Sequence, residues 1–309
     1  MEYIILIIGF IVLVKCADIF VCGSSNIAKS LGVPSLIVGL TIVAFGTSAP
    51  EASVSIISAI EGQNEISVGN VVGSNLCNLL IVLGISSLFR PIAASKQVLK
   101  KDFLLSIISY LILFIFVIND IVISTSNSFL SRVEGLILFL ILVIYLYRMI
   151  KKENNKEKEN IKFSLSDIFK IIFGLVGIIL GGNAIVDQAV LIAENFGVSK
   201  HLIALTIVAI GTSLPELVTS VIAAKKGEND IAIGNVIGSN IFNILFILGT
   251  SSIISPLNIY YNSIIDIGIL LVFGVIVYIL TYKNKEINRK TGILMILMYF
   301  TYMLYIINR

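Results

Sequence analysis

Two acidic residues interrupt apolar stretches of this 309-residue chain, and both have nearly the same neighbours. Glu51 ends the stretch 41–51 (TIVAFGTSAPE), and Glu216 ends the stretch 206–216 (TIVAIGTSLPE). A carboxylate at the centre of a bilayer costs about 3 kcal/mol even on the lenient insertion scale, so such residues commonly mark functional sites. The recurrence of the acid with two hydroxyls, a glycine and a proline predicts one polar site to which both copies contribute.

A second polar pattern also occurs twice, as GNVVGSNLCN over 69–78 and as GNVIGSNIFN over 234–243. The serine and the last asparagine of each pattern are four residues apart, so they share one face of a helix. The glycines form small-xxx-small patterns, for which close helix packing alone is an alternative interpretation. The polar candidates of these stretches are Ser74, Asn78, Ser239 and Asn243.

Each proline of the acidic stretches predicts a break in its helix. Pro50 has no N–H to donate to the carbonyl four residues earlier, and its ring opposes a regular helix there. We therefore expect a break near 45–50 that frees the carbonyl of Ala44, an arrangement tolerated at membrane depth only inside protein or beside a cavity. Pro215 predicts the same for Ala209. The hydroxyl candidates beside the two breaks are Thr47, Ser48, Thr212 and Ser213.

Together these residues supply two carboxylates, two carboxamides, six hydroxyls and backbone carbonyls, with neither a histidine nor a thiolate among them. Hard oxygen donors suit calcium, sodium and magnesium rather than zinc or copper. Two carboxylates balance one divalent or two monovalent cations. Six to eight flexible oxygens favour calcium over magnesium, which requires octahedral geometry and gives up water reluctantly. The residue types therefore predict a site for transported calcium and sodium ions.

Composition places these stretches in a membrane. The chain is 57% hydrophobic and 13% charged, whereas soluble domains carry about 25% charged residues. Apolar runs of about 20 residues recur along its length, as bilayer-spanning helices require. We predict an all-α polytopic protein in contact with the lipid bilayer, with no basic patch for nucleic acid and no obligatory protein partner. The ten predicted spans lie near 3–28, 33–60, 65–89, 101–118, 129–149, 165–194, 199–224, 229–253, 261–281 and 290–307.

An internal repeat organises the spans. At an offset of 165 residues (216 minus 51), about half of the positions in 32–91 are identical to those in 197–256. Each half has five spans, an odd number, so the second copy enters the membrane from the opposite side. Inverted repeats of this kind are typical of secondary transporters, whose substrate site lies at mid-membrane. The predicted units are a first five-helix repeat, 1–150 with its motif at 39–84; a linker, 151–163; and a second five-helix repeat, 164–309 with its motif at 204–249.

Lysine and arginine residues concentrate in the odd-numbered connections, including the linker 151–163. The opposite side carries only Arg132, Lys200 and the terminal Arg309. Because positive residues favour the cytoplasm, we expect a multi-pass protein of the cell membrane with a cytoplasmic central loop and both termini outside.

The paired stretches GTSAPE and GTSLPE, each followed by the pattern GN…GSN…N, resemble the two conserved repeats of the calcium/cation antiporter superfamily. The likeness is closest to prokaryotic sodium/calcium exchangers and covers essentially the whole chain. It implies exchange of sodium for calcium by alternating access, with the first and sixth spans sliding across the other eight. Glu51 and Glu216 would be the central ligands. The implied remaining ligands are Thr47, Ser48, Ser74, Asn78, Thr212, Ser213, Ser239 and Asn243, with the carbonyls of Ala44 and Ala209.

One position departs from the pattern of the superfamily. Several relatives have an acidic residue where this chain has Asn243, so the site is one negative charge poorer. This leaves the number of sodium ions per calcium open and argues against potassium co-transport. The linker is too short for regulatory calcium-binding domains.

Other functions stay open on the residues alone. A proton-coupled calcium exchanger would use the same two carboxylates, although the neutral hydroxyls favour sodium. The sequence offers no nucleophile paired with a base, which argues against an intramembrane enzyme. A passive channel would be recognised by transport that needs no counter-ion. Lys15 and Asp18, three residues apart, predict a local ion pair, a lysine that snorkels to the membrane surface, or a role in gating. We interpret His201 as an interface residue rather than a proton relay.

Overall fold

The computed structural model describes residues 2–123, 128–153, 164–197 and 209–308. Within them, seven unbroken helices and one bent helix pair are long and apolar enough to cross a bilayer. The fifth predicted span coincides with a further helix, Arg132–Glu153. The seventh is described only from residue 209 onward, so His201 and most of the central linker lie outside the described residues.

The helices of the described residues follow the predicted spans closely. They are α1 (Glu2–Ser30), α2 (Ser35–Thr47), α3 (Ala49–Ile60), α4 (Asn64–Phe89), α5 (Phe103–Ile123), α6 (Arg132–Glu153), α7 (Leu165–Asn195), α8 (Ala209–Thr212), α9 (Leu214–Lys226), α10 (Asn229–Ile254), α11 (Tyr261–Asn284) and α12 (Arg289–Ile307).

The connections add four short strands that the sequence analysis did not predict. Strand β1 (Ile92–Ala93) pairs antiparallel with β4 (Glu286–Ile287). Strand β2 (Ser128–Leu130) pairs in the same way with β3 (Leu257–Ile259). Each pair joins a connection of the first half of the chain to one of the second half, so the two halves are tied together outside the helices as well.

Helices α4 and α10 form the centre of the molecule. In their most apolar windows, 83% and 94% of the residues are buried, against 28–39% in the other unbroken spans. The two helices are joined by reciprocal hydrogen bonds, because the side-chain amide of Asn75 donates to the Asn240 carbonyl and that of Asn240 to the Asn75 carbonyl, both at 3.3 Å. The buried hydroxyl of Tyr110 accepts a further bond from the Asn240 amide at 2.8 Å.

Glycines allow α1 and α7 to pack closely as an antiparallel pair. A Cβ atom on Gly181 would lie 2.9 Å from the backbone nitrogen of Leu13 and 3.0 Å from the carbonyl oxygen of Gly9. Near the other end of the pair, a Cβ atom on Gly23 would lie 3.0 Å from the carbonyl oxygen of Asp167. Small residues at such seams let helix backbones approach in a bilayer, where no hydrophobic force drives helices together.

Widened π-helical turns occur at four places in the described residues. Such turns carry i→i+5 hydrogen bonds and are frequent at functional sites. Three of them lie in α2, α4 and α10, the helices that carry the repeated polar motifs, and the fourth leads into α5. The turns are Gly39–Val43, Asn78–Val82, Asn243–Leu248 and Val98–Asp102.

We expect Gly181→Ala to destabilise the protein by about 1–3 kcal/mol, because the added methyl group would press against the backbone of α1. The neighbouring Gly182→Ala is the matched control, since its Cβ atom would meet only Pro215, at 3.8 Å, and alanine is the better helix former. Thermal unfolding of the detergent-solubilised variants, followed by circular dichroism, measures the difference. Equal melting temperatures for the two variants would contradict this account of the seam.

Candidate ion-binding site

The second membrane span is broken at Ser48, as the proline predicts. Helices α2 and α3 meet there at a bend of 52°, and Ser48 has φ −83° and ψ 9°. The second copy repeats the break at Ser213, with φ −88° and ψ 5°. Both prolines then occupy the first turn of the next helix, where a missing N–H costs nothing. Glu51 and Glu216 therefore lie in the first turns of α3 and α9, whose positive dipole ends favour a carboxylate.

The predicted site residues are buried inside the helical bundle. Both glutamates are fully buried, and the exposure of the serines and asparagines is 2% or less. Thr212 is half-buried and interacts with another group of the protein. The side chain of Ala209 lies outside the described side chains. The fully or nearly fully buried candidates are Thr47, Ser48, Glu51, Ser74, Asn78, Ser213, Glu216, Ser239 and Asn243.

Residues of the two copies meet at Glu216. The hydroxyl of Ser48 donates to Glu216 Oε1 at 2.8 Å, and the hydroxyl of Ser239 lies 3.3 Å from the same oxygen. The Ser239 hydroxyl also lies 3.4 Å from the carbonyl oxygen of Ala44. A hydroxyl at the helix break of the first half therefore donates a hydrogen bond to the carboxylate of the second half.

The expectation that the Ala44 carbonyl is free is wrong. It accepts a backbone hydrogen bond from the Ser48 N–H at 3.0 Å, because the helix keeps its regular bonding up to the break. In the second copy the N–H of Ser213 donates to the carbonyl of Ile210 at 3.1 Å.

A group of buried oxygens in the same region makes no hydrogen bond within the protein. A buried polar atom without a partner is costly, and each case in a native structure requires an explanation. An oxygen-lined site for a desolvated cation is such an explanation, because the ion itself would satisfy these lone pairs. The oxygens are Glu51 Oε1 and Oε2, Glu216 Oε2, Ser74 Oγ, Asn78 Oδ1 and Asn243 Oδ1.

The unpartnered carboxylate of Glu51 lies close enough to Glu216 for the two charges to interact. Two like charges in a buried site repel each other strongly. A cation between them would convert this repulsion into attraction. Nearby, the hydroxyl of Ser213 has the thiol of Cys77 beside it, a weak hydrogen-bonding partner.

Two asparagines that the sequence analysis did not count as site residues hold the broken helices in place. The side-chain amide of Asn70 donates to the Glu51 carbonyl at 3.3 Å and to Ser55 at 2.9 Å. Asn235 makes the equivalent bonds to the Glu216 carbonyl and Ser220, at the same two distances. Their conserved place in both copies of the GN…GSN pattern was the signal that could have identified them.

Asn235 makes one contact that has no counterpart at Asn70 among the described contacts. Its side-chain oxygen lies 3.0 Å from the Thr47 hydroxyl, which also lies 3.1 Å from the carbonyl of Val43. Thr47 is therefore positioned by the opposite half of the chain rather than only by its own helix.

The local ion pair predicted for Lys15 and Asp18 is not what the structure contains. Asp18 instead pairs with Lys226, whose ammonium lies 2.8 Å from the Asp18 carboxylate and 3.1 Å from its backbone carbonyl. The partner lies 208 residues away in sequence, and local spacing could not identify it.

The fold and the site define a multi-pass helical membrane protein with a buried, oxygen-rich site between two related halves. A family model described as "Sodium/calcium exchanger protein" matches residues 1–151 and 167–308. The chain therefore belongs to the sodium/calcium exchanger protein family, as the repeated motifs predicted.

Relatives and solved structures match over nearly the full chain. The sodium/calcium exchanger MaX1 of Methanosarcina acetivorans is 32% identical, with 98% of this chain and 97% of the relative covered. The inner membrane protein YrbG of Escherichia coli is 33% identical, with coverage of 94% and 92%. A structure of the sodium-calcium exchanger NCX_Mj, soaked with Na⁺ and Sr²⁺, superimposes with a TM-score of 0.82 at 32% identity, covering 98% of this chain and 97% of that one.

We expect Asn235→Ala to destabilise the protein by about 1–3 kcal/mol, because it removes the donor to two buried oxygens and the acceptor of the Thr47 hydroxyl. Asn70→Ala, its symmetry-related control, removes only the donor contacts and leaves Thr47 untouched, so its effect should be smaller. Thermal unfolding in detergent compares the two. A larger loss for Asn70→Ala would overturn the proposed role of the Thr47 contact.

Proposed function

We propose that this protein is an antiporter that exchanges sodium for calcium across the cell membrane by alternating access. The observation that carries the proposal is the cluster of buried oxygens without a hydrogen bond, which includes both oxygens of Glu51 and one of Glu216. Membership of the sodium/calcium exchanger protein family supports it. So does the likeness to NCX_Mj, a protein studied with sodium, calcium and strontium. No part of the proposal requires a chemical reaction or a cofactor.

Calcium and sodium compete for the same carboxylates in this proposal. Two carboxylates neutralise one Ca²⁺ or two Na⁺, and both ions prefer oxygen ligands. Because the site cannot satisfy both cargoes at once, release of one accompanies binding of the other. The proposed binding set comprises Glu51, Glu216, Asn78, Asn243, Thr47, Ser48, Thr212, Ser213, Ser74 and Ser239, with the carbonyls of Ala44 and Ala209. The Ala44 carbonyl would use its second lone pair, since it already accepts a hydrogen bond from the Ser48 N–H.

The proposed architecture is ten spans in two inverted five-helix repeats, 1–150 and 164–309, joined by the linker 151–163. Strand pairing supports it. Strands β1 and β4 belong to the third and ninth connections, and β2 and β3 to the fourth and eighth. Odd connections thus pair with odd and even with even, as alternation across a membrane requires. The bias of basic residues assigns the odd connections to the cytoplasm and both termini to the outside.

Asymmetry between the related halves supports a conformation that is open to the outside. Helix α1 packs along α9, which runs from the site to the proposed cytoplasmic face. In the described part of the chain, α7 makes no comparable contact with α3, which runs from the site to the outer face. The bonded carboxylate, Glu216, belongs to the half that α1 covers, whereas Glu51 keeps both oxygens unpartnered.

The central glycines show the same asymmetry. A Cβ atom on Gly234 would lie 3.0 Å from the carbonyl of Leu36, so α10 and α2 are in close contact. Its counterpart Gly69 is exposed. Close packing between helices thus explains Gly234. Gly69, its counterpart in the first copy, borders the open side of the proposed ion pathway.

A polar latch connects α1 to the end of α9 and to the connection that follows α9, on the proposed cytoplasmic side. It consists of the Lys226–Asp18 pair at 2.8 Å, the Ser25 hydroxyl donating to Glu228 at 2.6 Å, and Lys29 at 3.7 Å from Glu228. Opening to the cytoplasm by sliding of α1 and α7 would have to break these contacts. The latch therefore favours the conformation with the cytoplasmic side closed.

We expect Glu51→Gln and Glu216→Gln each to reduce sodium-dependent calcium uptake by about 100-fold or more. Each removes a charged ligand, and even the outer partners of metal sites are worth 10- to 100-fold in affinity. Glu61→Gln and Glu65→Gln, which change exposed acids of the same region, are the controls. Calcium-45 uptake into proteoliposomes measures all four, and near-normal uptake by either site variant would rule out the proposed site.

The coupling ion is tested with the same vesicles. Calcium uptake should require internal sodium, and internal potassium or choline should not replace it. A pH gradient alone should drive no uptake. Uptake that follows the pH gradient and ignores sodium would replace the proposal with a proton-coupled calcium exchanger, and uptake without any counter-ion would indicate a channel.

We expect Asp18→Asn or Lys226→Gln to loosen the latch by about 0.2–1 kcal/mol, the range for partly exposed ion pairs. Hydrogen exchange of the second half of α1 should then accelerate by up to about five-fold, and the double variant should exchange no faster than either single variant. Lys225→Gln is the control, because the Lys225 ammonium lies over the ring of Phe89 rather than on α1. Independent, additive effects of the two substitutions would contradict a direct pair.

A further inference from the structure

A separate cavity of about 380 Å³ lies where the beginning of α5 meets the end of α6. By the topology proposed above, it opens at the cytoplasmic surface of the bilayer. Its lining divides into an apolar part and a polar part. The apolar part comprises Ile37, Leu104, Leu105, Ile108 and Met149, and the polar part Gln97, Lys101, Asp102, Tyr145 and Arg148.

The charges of this cavity favour an anion. Lys101 and Arg148 are both exposed, so their cationic groups are available at the rim. Among the described lining residues, the one carboxylate, Asp102, is 3% exposed and accepts a hydrogen bond from the Tyr145 hydroxyl at 3.0 Å. Two cations and one buried carboxylate give this described part of the lining a formal charge of +1. Two basic residues beside a tyrosine at a membrane surface suit the phosphate of a lipid headgroup.

The apolar part of the cavity continues onto a surface that fits acyl chains. Leu104 and Ile108 line the cavity and are themselves exposed, and Leu111 and Ile115 extend the same exposed face along α5. Their spacing of four, three and four residues places all four on one side of a helix. A soluble anion would make no use of this stripe, whereas a phospholipid would use both the basic rim and the stripe.

The π-helical turn Val98–Asp102 shapes the polar part of this cavity. The other such turns of the described residues lie in the helices of the ion site, and turns of this kind are frequent at functional positions. The widened turn carries both Lys101 and Asp102 into the lining. The cavity therefore combines a cation and a carboxylate from one turn with the apolar residues around them.

We propose that this cavity binds the headgroup of an anionic phospholipid of the cytoplasmic leaflet, whose acyl chains lie along the exposed face of α5. Lys101 and Arg148 bind its phosphate. Ile37 brings the lipid into contact with α2, the half-helix that also carries Thr47 and ends at the break beside the ion site. The bound lipid thereby buttresses that half-helix. The inference uses the topology proposed above but not the exchange of ions.

Native mass spectrometry of the delipidated full-length protein tests this inference, with palmitoyl-oleoyl phosphatidylglycerol and phosphatidylcholine supplied in equal amounts. Wild-type protein should retain phosphatidylglycerol preferentially. At about 1 kcal/mol for each basic contact, Lys101→Gln and Arg148→Gln should each weaken this retention about 5-fold, and the double variant about 25-fold. Lys283→Gln with Lys290→Gln is the charge-matched control, because both residues are exposed and lie in the helix turns that flank the ninth connection, on the same proposed face.

Three outcomes would overturn the proposal. The first is equal retention of the two lipids by wild-type protein, a comparison that needs no variant to fold. The second is equal loss of phosphatidylglycerol in the control variant. The third is displacement of the lipid by millimolar inorganic phosphate, which would identify a site for soluble anions. Because none of these measurements involves transport, a failure of the ion-exchange proposal would leave their interpretation unchanged.

Discussion

The structure depends on the cost of keeping two carboxylates in the apolar interior of a membrane protein. Glu51 and Glu216 are fully buried, and of their four oxygens only one accepts a hydrogen bond. Such groups are stable only where other charges or dipoles compensate them. The helix breaks at Ser48 and Ser213 supply part of the compensation, because each places its glutamate in the first turn of a new helix. A bound cation would supply the rest.

The surrounding helices hold the two glutamates in place by two kinds of contact. Hydrogen bonds from asparagine side chains fix the helices around the site, and glycines allow close packing between α1 and α7. Asn70 and Asn235 attach the acid-bearing helices to the central pair α4 and α10, with equal bond lengths in both halves. Asn75 and Asn240 join the central helices to each other. The glycine seam between α1 and α7 makes those two helices a unit, which the latch at Lys226 connects to the remaining bundle. A central scaffold and a peripheral helix pair are the parts that a sliding mechanism needs.

Small departures from the internal symmetry carry information about function. Because the two halves carry nearly the same motifs, α1 and α7 could pack against them in two equivalent ways. The structure contains one of these two arrangements. Here the hydrogen bonds of Ser48 and Ser239 to Glu216 have no counterpart at Glu51 among the described residues. The amide of Asn243 donates to Asn75 at 3.0 Å, whereas neither side-chain polar atom of Asn78 has a partner. The two halves therefore differ in the hydrogen bonds of corresponding residues, although their motifs are nearly the same.

The sequence by itself determined the class of protein, the approximate helix bounds, the break beside Pro50 and the family, because hydropathy, proline and doubled motifs act locally or through a constant offset. It also predicted Ser48, Ser239 and Glu216, which the structure brings together. Only the tertiary structure decided which glutamate is bonded, that Ala44 keeps its backbone bond, that Asp18 pairs with Lys226, and that strands join the halves. The physical reason is that, apart from the local bond between Ser48 and Ala44, these contacts link residues far apart in sequence. Two nearly identical motifs cannot specify which of the two glutamates accepts hydrogen bonds, since that depends on how α1 and α7 pack against the rest of the molecule.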